Sequence, residues 1–168
     1  MNKARVESFS PISNAQSTRL ILGSMPGVAS LHAAQYYAHP HNAFWPIMGA
    51  LLGFSAFAPY AARVEALQQA QIALWDVLAC CERLGSLDAS IRLGSEVAND
   101  FDGFFGTHSA ITQVYFNGAA AEAAFKRHCS QWPHDPRLTF QRLPSSSPAH
   151  ATLRPEQKFT QWKRVLAL

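Results

Sequence analysis

The apolar run Leu20-Ile21-Leu22, which ends at Gly-Ser-Met-Pro-Gly (residues 23–27), constrains the fold more than any other feature of this chain. A short run that is apolar at every position is typical of a strand buried on both faces, as in a parallel sheet. The glycines that follow allow a tight turn and a close approach of the backbone to a ligand. Ligands bind at the carboxyl ends of strands in open α/β sheets, so residues 23–27 are predicted to border a binding site.

Residues 35–45 follow with an unusual concentration of aromatic and polar side chains: two tyrosines, two histidines, an asparagine, a phenylalanine and a tryptophan. Flat aromatic faces beside amide and imidazole groups suit the binding of a nucleobase, which needs stacking on its face and hydrogen bonds at its edge. A loop that adds an aromatic patch to the core has the same composition. Composition alone leaves both interpretations open.

Apolar runs alternate with helical patterns along the rest of the chain. Strands are predicted at residues 19–24, 72–78, 111–116 and 138–143. Helices are predicted at residues 29–34, 46–53, 59–71, 86–91 and 99–105, after Gly118 to about residue 129, and from Pro155 onward. This alternation indicates an α/β fold, a three-layer sandwich whose central, mainly parallel four-stranded sheet is covered by helices on both faces.

Small or polar residues follow each predicted strand. In a parallel sheet Ser24, Leu78, Asn117 and Ser145 lie along one edge, so that one cleft collects all the polar loops. Asp76, near the end of the second strand, is a candidate either to support the reacting groups or to cap a helix.

Length and composition limit the class of protein. A chain of 168 residues is long enough for one domain with a sizeable core, and residues 1–17 are predicted to be an irregular lead-in. No apolar run approaches the roughly 20 residues that cross a bilayer. Three cysteines cannot all pair with one another and no secretory signal is evident, which indicates a cytoplasmic protein with reduced thiols. The net charge of +3 permits binding to nucleic acid without requiring it.

Three other chemistries fit the sequence poorly. A serine hydrolase places its nucleophile in Gly-x-Ser-x-Gly, whereas Ser24 comes one position early. A phosphate-binding loop needs Gly-Lys-Ser or Gly-Lys-Thr after its glycines, and the sequence has neither. His39, His41 and His150 are candidate metal ligands, but no His-Glu-x-x-His motif or carboxylate cluster accompanies them. We therefore expect neither a metal nor a cofactor.

Four segments of the chain form an ordered set of motifs: Gly-Ser-Met-Pro-Gly at 23–27, Tyr-Ala-His-Pro-His-Asn-Ala-Phe-Trp at 37–45, Phe-Asn-Gly at 116–118 and Leu-Pro-Ser-Ser-Ser at 143–147. Together they resemble the uracil-DNA glycosylase superfamily. The His-Pro-x-Asn-x-Phe-Trp pattern and the serine triplet are most similar to the mismatch-specific uracil/thymine glycosylases and to the hypoxanthine-DNA (deoxyinosine) glycosylases. The resemblance covers about residues 19–165 and implies a DNA repair enzyme that hydrolyses the N-glycosidic bond of deaminated bases.

Departures from the superfamily pattern indicate which base is removed. Members that excise uracil commonly carry Asp or Asn third in the first motif, where it positions the attacking water. This chain has Met25 there, which can neither activate nor orient water. In the hypoxanthine branch the catalytic asparagine belongs to the His-Pro-x-Asn segment, which corresponds to Asn42. The resemblance therefore favours deoxyinosine over uracil, with Asn42 as the catalytic residue.

The resemblance also implies base-binding roles. Tyr37 stands where relatives stack an aromatic ring on the base, Asn117 would hydrogen-bond the edge of the base, and Gly23 and Ser24 would contact it closely. Structural alternatives remain open, because Asn42 could cap the following helix, Tyr37 could belong to the core, and Asn117 could merely turn the chain.

The last motif departs from the pattern as well, because Ser145 stands where other branches place a catalytic His or Asn. The residues predicted to contact DNA are Ser145, Ser146, Ser147 and His150. Relatives carry a leucine or arginine wedge a few residues later, whereas this chain has Ala149, which cannot fill a vacated base stack. His150, Leu153 or Arg154 is expected to do so instead.

The sequence thus predicts a glycosylase that flips its target nucleotide and acts as a monomer on double-stranded DNA containing a deaminated base. None of the four motifs contains a lysine, so a monofunctional hydrolase without a Schiff-base step is expected. Two alternatives remain. One is a uracil or mismatch-type glycosylase that uses the same cleft, and the other is a non-catalytic module that recognises a nucleotide or damaged DNA.

Overall fold

Strands and helices alternate along residues 5–166, the part of the chain that the computed structural model describes. The elements are, in chain order, β1 (Arg5–Glu7), β2 (Arg19–Gly23), α1 (Val28–Ala33), α2 (Phe44–Leu52), α3 (Tyr60–Gln69), β3 (Ile72–Asp76), β4 (Leu78–Glu82), β5 (Val97–Ala98), α4 (Phe101–Thr107), β6 (Gln113–Asn117), α5 (Ala119–His128), β7 (Thr139–Leu143) and α6 (Pro155–Leu166). Within this part of the chain no helix is both long enough and apolar enough to span a bilayer.

Four strands run parallel in the order β3, β2, β6 and β7. In the central strand β2, Leu22 pairs with Trp75 on one side and with Phe116 on the other. Leu20, Ile21 and Leu22 have no exposed surface, because a central parallel strand is covered on both faces. The predicted parallel sheet is confirmed, and each strand lies within two residues of its predicted position at both ends.

Helices cover both faces of this sheet. On one face, the ring of Phe116 in β6 packs against Phe125 of α5, which contacts Phe101 of α4. On the other face α2, α3 and α6 pack together, and the rings of Phe44 in α2 and Trp162 in α6 meet edge to face with centroids 5.9 Å apart. The predicted three-layer α/β architecture is confirmed.

A second, antiparallel sheet of β1, β4 and β5 was not predicted. β1 lies within residues 1–17, so the prediction of an irregular lead-in is wrong at residues 5–7, while residues 1–4 lie outside the described part. Ile12 also pairs with Leu74 through an isolated bridge. The local sequence does not reveal β1, because its three residues are held by a partner strand far along the chain.

The second predicted strand is divided between the two sheets. The prediction treated residues 72–78 as one strand, whereas β3 ends at Asp76 and β4 begins at Leu78. The Val77 N–H donates to the Gly23 carbonyl at 2.8 Å, and the Leu78 N–H donates to the Ser24 carbonyl at 3.1 Å. These bonds carry the backbone past the end of β2 before it enters the antiparallel sheet.

The helix predictions differ from the structure mainly in extent. The predicted helix at 86–91 is reduced to a single 3₁₀ turn, Asp88–Ser90. α4 begins at Phe101 instead of residue 99, because Asp100 is its N-cap and accepts the Gly103 N–H at 2.9 Å. α2 begins at Phe44, two residues before Pro46, which stands within the first turn where the missing N–H does no harm.

Gly118 connects β6 to α5 in a conformation that only glycine adopts without strain. Its φ is +98°, and a Cβ built on it would lie 2.9 Å from the Cβ of Ser145. Both observations exclude a side chain here, because the loop that carries Ser145 packs directly against the Gly118 backbone.

Replacing Gly118 with alanine is expected to lower the free energy of unfolding by about 1 to 3 kcal/mol, because of the positive φ and the contact with Ser145. Gly106→Ala is the matched control. Gly106 lies inside α4 with no heavy atom within 4 Å of an added Cβ, so this change is expected to be neutral or mildly stabilising. Urea unfolding followed by circular dichroism measures both, and equal effects would contradict the assignment.

Candidate active site

The carboxyl ends of the parallel strands open into a cleft of about 290 Å³. Eight of the nine predicted site residues border this cleft, namely Gly23, Ser24, Tyr37, Asn42, Asn117, Ser145, Ser146 and Ser147. His39 and Asp76 border it too. The fold therefore brings together the last residues of β3 and β6 and the loops that follow β2 and β7, as the parallel topology predicts. Leu78, expected at the same edge, does not border the cleft.

Asn117 and Ser146 bind each other through both ends of the Asn117 amide. The amide oxygen accepts the Ser146 N–H, and the amide nitrogen donates to the Ser146 hydroxyl, both at 2.8 Å. The Ser146 carbonyl in turn accepts the N–H of Ala43 at 2.9 Å. These bonds fix the orientation of the amide and leave one N–H and one oxygen lone pair of Asn117 for other partners.

Ser146 has no exposed surface. The prediction that it contacts DNA is incompatible with this burial, and its hydrogen bonds orient Asn117 instead. Ser145 and Ser147 are partly exposed at the cleft, and their hydroxyls accept the N–H groups of Ser147 and Ala149, each at 3.2 Å. The serine loop is therefore a rigid turn in which only two of the three hydroxyls remain accessible.

Two buried side chains of α6 hold the serine loop in place. The ammonium group of Lys158 donates to the Ser147 carbonyl at 2.9 Å, and the indole N–H of Trp162 donates to the Pro144 carbonyl at 2.8 Å. Lys158 is only 4% exposed and Trp162 is fully buried. Desolvation lowers the pKa of Lys158. The last helix thus supports the last motif of the cleft.

The turn before Tyr37 is anchored by Tyr36. Its backbone N–H donates to the Tyr60 hydroxyl at 3.0 Å, and its own hydroxyl donates to the Ser10 carbonyl at 3.1 Å. The Trp45 indole donates to the Tyr36 carbonyl at 2.8 Å. Both ends of the aromatic segment are therefore fastened to the core, and the residues between them bulge toward the cleft.

Tyr37 adopts a left-handed backbone conformation, with φ of +53°, that a bulky residue rarely takes. One face of its ring stacks on Phe44 at a centroid distance of 4.2 Å and an interplanar angle of 25°. The ring borders the cleft while the hydroxyl oxygen is fully buried. Burial raises the pKa of Tyr37, the Asp76 charge raises it further, and a hydrogen-bonding interaction with Asn117 opposes both, so the phenol is neutral at ordinary pH.

Asn42 lies at the start of α2, half-buried at the cleft. Its amide oxygen accepts the Phe44 N–H at 3.0 Å, and its backbone N–H donates to the His39 carbonyl at 2.9 Å. The N-cap of α2 is Ala43, so Asn42 is not the cap residue that the sequence left open, although its side chain accepts the first N–H of the helix. This hydrogen bond does not exclude a second role, because the oxygen keeps one lone pair and within residues 5–166 the amide nitrogen makes no hydrogen bond.

The segment after β4 covers the first motif, and sequence reasoning missed it. Asp88 accepts the Ser24 hydroxyl at 2.6 Å. The buried guanidinium of Arg83 donates to the Gly85 carbonyl at 2.9 Å and also to the Pro26 carbonyl. These hydrogen bonds hold residues 23–27 in place. The only sequence signal was the mixed polar character of residues 82–90, which is common to many loops.

Asp76 forms the floor of the cleft beside Gly23, with which it pairs in the sheet. The residue is 3% exposed, and within residues 5–166 no group hydrogen-bonds its Oδ2. The alternative that it caps a helix is therefore wrong, since its carboxyl accepts no N–H from any helix of the described chain. Burial raises the pKa of Asp76 to about 8, the Asp88 charge also raises it, and the Arg83 charge lowers it.

His150 lies apart from the cleft. It borders a neighbouring shallow depression with Gly118, Arg142 and Leu153, and Ser145 lines both that depression and the cleft. The backbone N–H of His150 donates to the Ser147 carbonyl at 3.1 Å, so His150 adjoins the serine loop without bordering the cleft itself. Ala149 is the residue of this segment that reaches the cleft. His39 and His41 have ring centroids 5.7 Å apart, and within residues 5–166 no group of three or more His, Cys, Asp or Glu side chains is arranged to hold a metal.

The family model of the uracil DNA glycosylase superfamily matches residues 10–167 of this chain. The chain belongs to this superfamily. Two proteins called hypoxanthine DNA glycosylase, from Methanosarcina barkeri and Methanosarcina acetivorans, are 36% and 34% identical over 113 and 114 residues. These alignments cover 67% of the chain in both cases, and 70% and 71% of the two relatives.

The fold is shared with a protein from Methanosarcina acetivorans that was solved by NMR and named as a candidate uracil DNA glycosylase. The TM-score is 0.80 at 28% sequence identity, over 96% of each chain. The superfamily recognised from the four motifs is confirmed. The chain is accordingly a DNA glycosylase, a hydrolase that acts on N-glycosyl bonds, as predicted.

Lys158→Met is expected to destabilise the glycosylase by about 1 to 3 kcal/mol, because the Ser147 carbonyl loses its buried donor. The control is Lys163→Met, which changes an exposed lysine of the same helix and is expected to stay within about 0.5 kcal/mol of wild type. Urea denaturation measures both variants. Indistinguishable midpoints would show that Lys158 does not support the serine loop.

Asp76→Asn is expected to stabilise the fold increasingly as pH rises. The native pKa of Asp76 is about 8 against an ordinary value of 3.8, so the native state keeps a proton that the unfolded chain has lost between these values. Wild-type stability should therefore fall relative to the variant from about pH 4 to pH 8, by a total on the order of 6 kcal/mol, and then level off.

Urea unfolding curves at several pH values test this expectation. Asp135→Asn is the control of opposite sign, because the hydrogen bond from Arg137 lowers the pKa of the partly exposed Asp135 and the substitution should reduce stability at neutral pH. A difference between wild type and Asp76→Asn that is independent of pH would show that Asp76 is ionised in the native protein.

Proposed function

We propose that this glycosylase removes deaminated bases from double-stranded DNA, with hypoxanthine as the preferred base, by flipping the nucleotide into the cleft and hydrolysing its N-glycosidic bond. The observation that carries the proposal is the meeting of Asn42, Tyr37 and Asn117 at one cleft whose first motif contributes Met25 and no carboxylate. The names of the two Methanosarcina relatives support the same substrate.

Asn42 would position the attacking water. Its amide oxygen is held by the Phe44 N–H and retains a lone pair that can accept a hydrogen from water. An amide is too weak a base to deprotonate water early, so the reaction would be dissociative. The bond from the anomeric carbon to the base nitrogen breaks first, the electron pair leaves with the base, and water adds to the oxocarbenium-like sugar. The proton that water loses on addition balances the one that the departed base gains.

Tyr37 and Asn117 would hold the flipped base. The Tyr37 ring is backed by Phe44, which leaves its other face as a stacking surface at the cleft. The N–H of Asn117 that Ser146 does not bind would donate to an acceptor on the base, and the orientation of the amide is fixed in advance by Ser146. Such preorganisation strengthens recognition, because little conformational freedom is lost when the base binds.

Selection for a damaged base would begin with how weakly that base is paired in the duplex. A mispaired hypoxanthine is already weakly held, which lowers the few kcal/mol that extrusion of a nucleotide requires. We further propose that the enzyme acts as a monomer, in a reducing compartment such as the cytoplasm. Its three free cysteines, all buried, support the second point.

Asn42→Ala is expected to reduce excision of deoxyinosine by about 100-fold or more, because the variant cannot orient water. The assay uses labelled duplexes with a single deoxyinosine, uracil or xanthine, followed by alkaline cleavage at abasic sites. Excision mainly of uracil would overturn the substrate preference and favour a uracil-type glycosylase. Intact lesion binding without excision of any base would favour a non-catalytic binding module.

The hydrogen bond between Asn42 and the start of α2 requires a matched control. Asn42→Ala should lose about 1 kcal/mol of stability together with this bond, whereas Asn42→Ser keeps an oxygen acceptor for the Phe44 N–H and should recover that stability. A serine that restores stability without restoring excision would separate catalysis from folding. Full activity in Asn42→Ser would rule out the assigned water-binding role.

A further inference from the structure

The floor of the cleft contains a buried carboxyl group that the protein leaves unsatisfied. Asp76 is 3% exposed, and within residues 5–166 its Oδ2 has no hydrogen-bond partner. A buried polar atom without a partner is strongly unfavourable, so its persistence at a binding cleft points to a ligand that completes it. None of the four motifs includes Asp76.

We propose that the Asp76 carboxyl group binds the lactam edge of the flipped base and thereby determines which bases are accepted. A lactam edge is a carbonyl oxygen beside a ring N–H, as at O6 and N1 of hypoxanthine. The inference rests on the proposed function, because it requires a base in the cleft.

Gly23 gives the base access to this carboxyl group. A Cβ on Gly23 would lie 2.5 Å from Oδ1 of Asp76 and 3.0 Å from the Tyr37 hydroxyl, so any side chain here would fill the space in front of both groups. The absence of a side chain lets a planar ring approach the floor while its face lies against Tyr37. Asn117, at the neighbouring strand end, is left to bind a different edge of the same base.

The charge of Asp76 decides whether a lactam can bind. A neutral carboxyl group has one O–H donor and one carbonyl acceptor, which match the O6 acceptor and the N1–H donor of hypoxanthine. An ionised carboxylate has acceptors only, and one of its oxygens would then oppose O6. With a pKa of about 8, Asp76 is mostly neutral at pH 7 and mostly ionised above pH 9.

The pKa of Asp76 depends on the other titratable groups that surround it. The Asp88 charge raises the pKa of Asp76 and the Arg83 charge lowers it. Tyr36 and Tyr37 face Asp76 as neutral phenols, because burial raises the pKa of both. Desolvation raises the pKa of Asp88, against the Ser24 hydrogen bond and the Arg83 charge, and His39 borders the same cleft.

Asp76→Asn separates the neutral carboxyl group from the carboxylate. The amide keeps the shape, the donor and the acceptor at every pH. We expect this variant to excise deoxyinosine within about tenfold of wild type at pH 7, and the ratio of variant to wild-type kcat/KM to rise by about tenfold for each pH unit above pH 8. Ionisation of the substrate affects both enzymes equally and therefore cancels in this ratio.

Two further variants sharpen the test. Asp76→Leu removes donor and acceptor and should lose at least about tenfold in binding to a duplex with a non-cleavable deoxyinosine analogue, measured by fluorescence anisotropy at pH 7. Asp88→Asn removes the charge that raises the pKa of Asp76, so the alkaline loss of excision in this variant should begin at a lower pH than in wild type. An onset at the same pH as in wild type, or at a higher pH, would overturn the assignment of that loss to Asp76.

The outcomes distinguish this inference from the proposed function. Wild-type enzyme that excises none of the bases at any pH overturns the proposed function and, with it, this inference. Wild-type excision of deoxyinosine with a variant ratio that does not change between pH 7 and pH 9.5 overturns the role of Asp76 alone. A folded Asp76→Asn protein without excision at any pH also overturns it, because the carboxyl group would then be needed for something an amide cannot do.

Discussion

The hydrogen bonds of Ser146 join three loops that lie far apart in the sequence. Its N–H and hydroxyl bind both ends of the Asn117 amide, and its carbonyl binds the Ala43 N–H beside Asn42. The residue is fully buried, where the local dielectric is low and each hydrogen bond is stronger than in water. Lys158 and Trp162 of α6 then fix the loop that carries Ser146. The geometry of the cleft walls thus depends on contacts made by the final helix.

At the floor of the cleft, in contrast, a polar group lacks a hydrogen-bond partner within the described chain. Where Asn117 and Ser146 satisfy each other, Asp76 presents a buried carboxyl group whose Oδ2 has no partner within residues 5–166, and Tyr37 holds a left-handed backbone conformation beside it. Proteins keep such locally unfavourable features mainly at functional sites, where they are compensated by the surrounding fold. Here the compensation comes from the central strands, whose apolar residues are completely buried, and from the anchoring of Tyr36.

The small antiparallel sheet places a second layer of polar groups over the first motif. β4 carries the chain away from the parallel sheet, and the following turn brings Arg83, Ser86 and Asp88 back onto residues 23–28. An acidic side chain therefore reaches the cleft from a segment that has no motif of its own. The charged groups at the site therefore come both from this segment after β4 and from the strand ends of the parallel sheet.

The sequence by itself determined the parallel sheet, the edge at which the cleft lies and the superfamily, because apolar runs that end in glycine and polar residues encode buried strands and their loops locally. It also placed Asn42, Tyr37 and Asn117 at that edge. Only the tertiary structure decided that Ser146 is buried, that His150 borders a neighbouring depression instead of the cleft, and that Asp76 and Asp88 share the cleft. Burial, hydrogen-bond partners and pKa are properties of packing between distant segments, and no pattern within a single segment contains them.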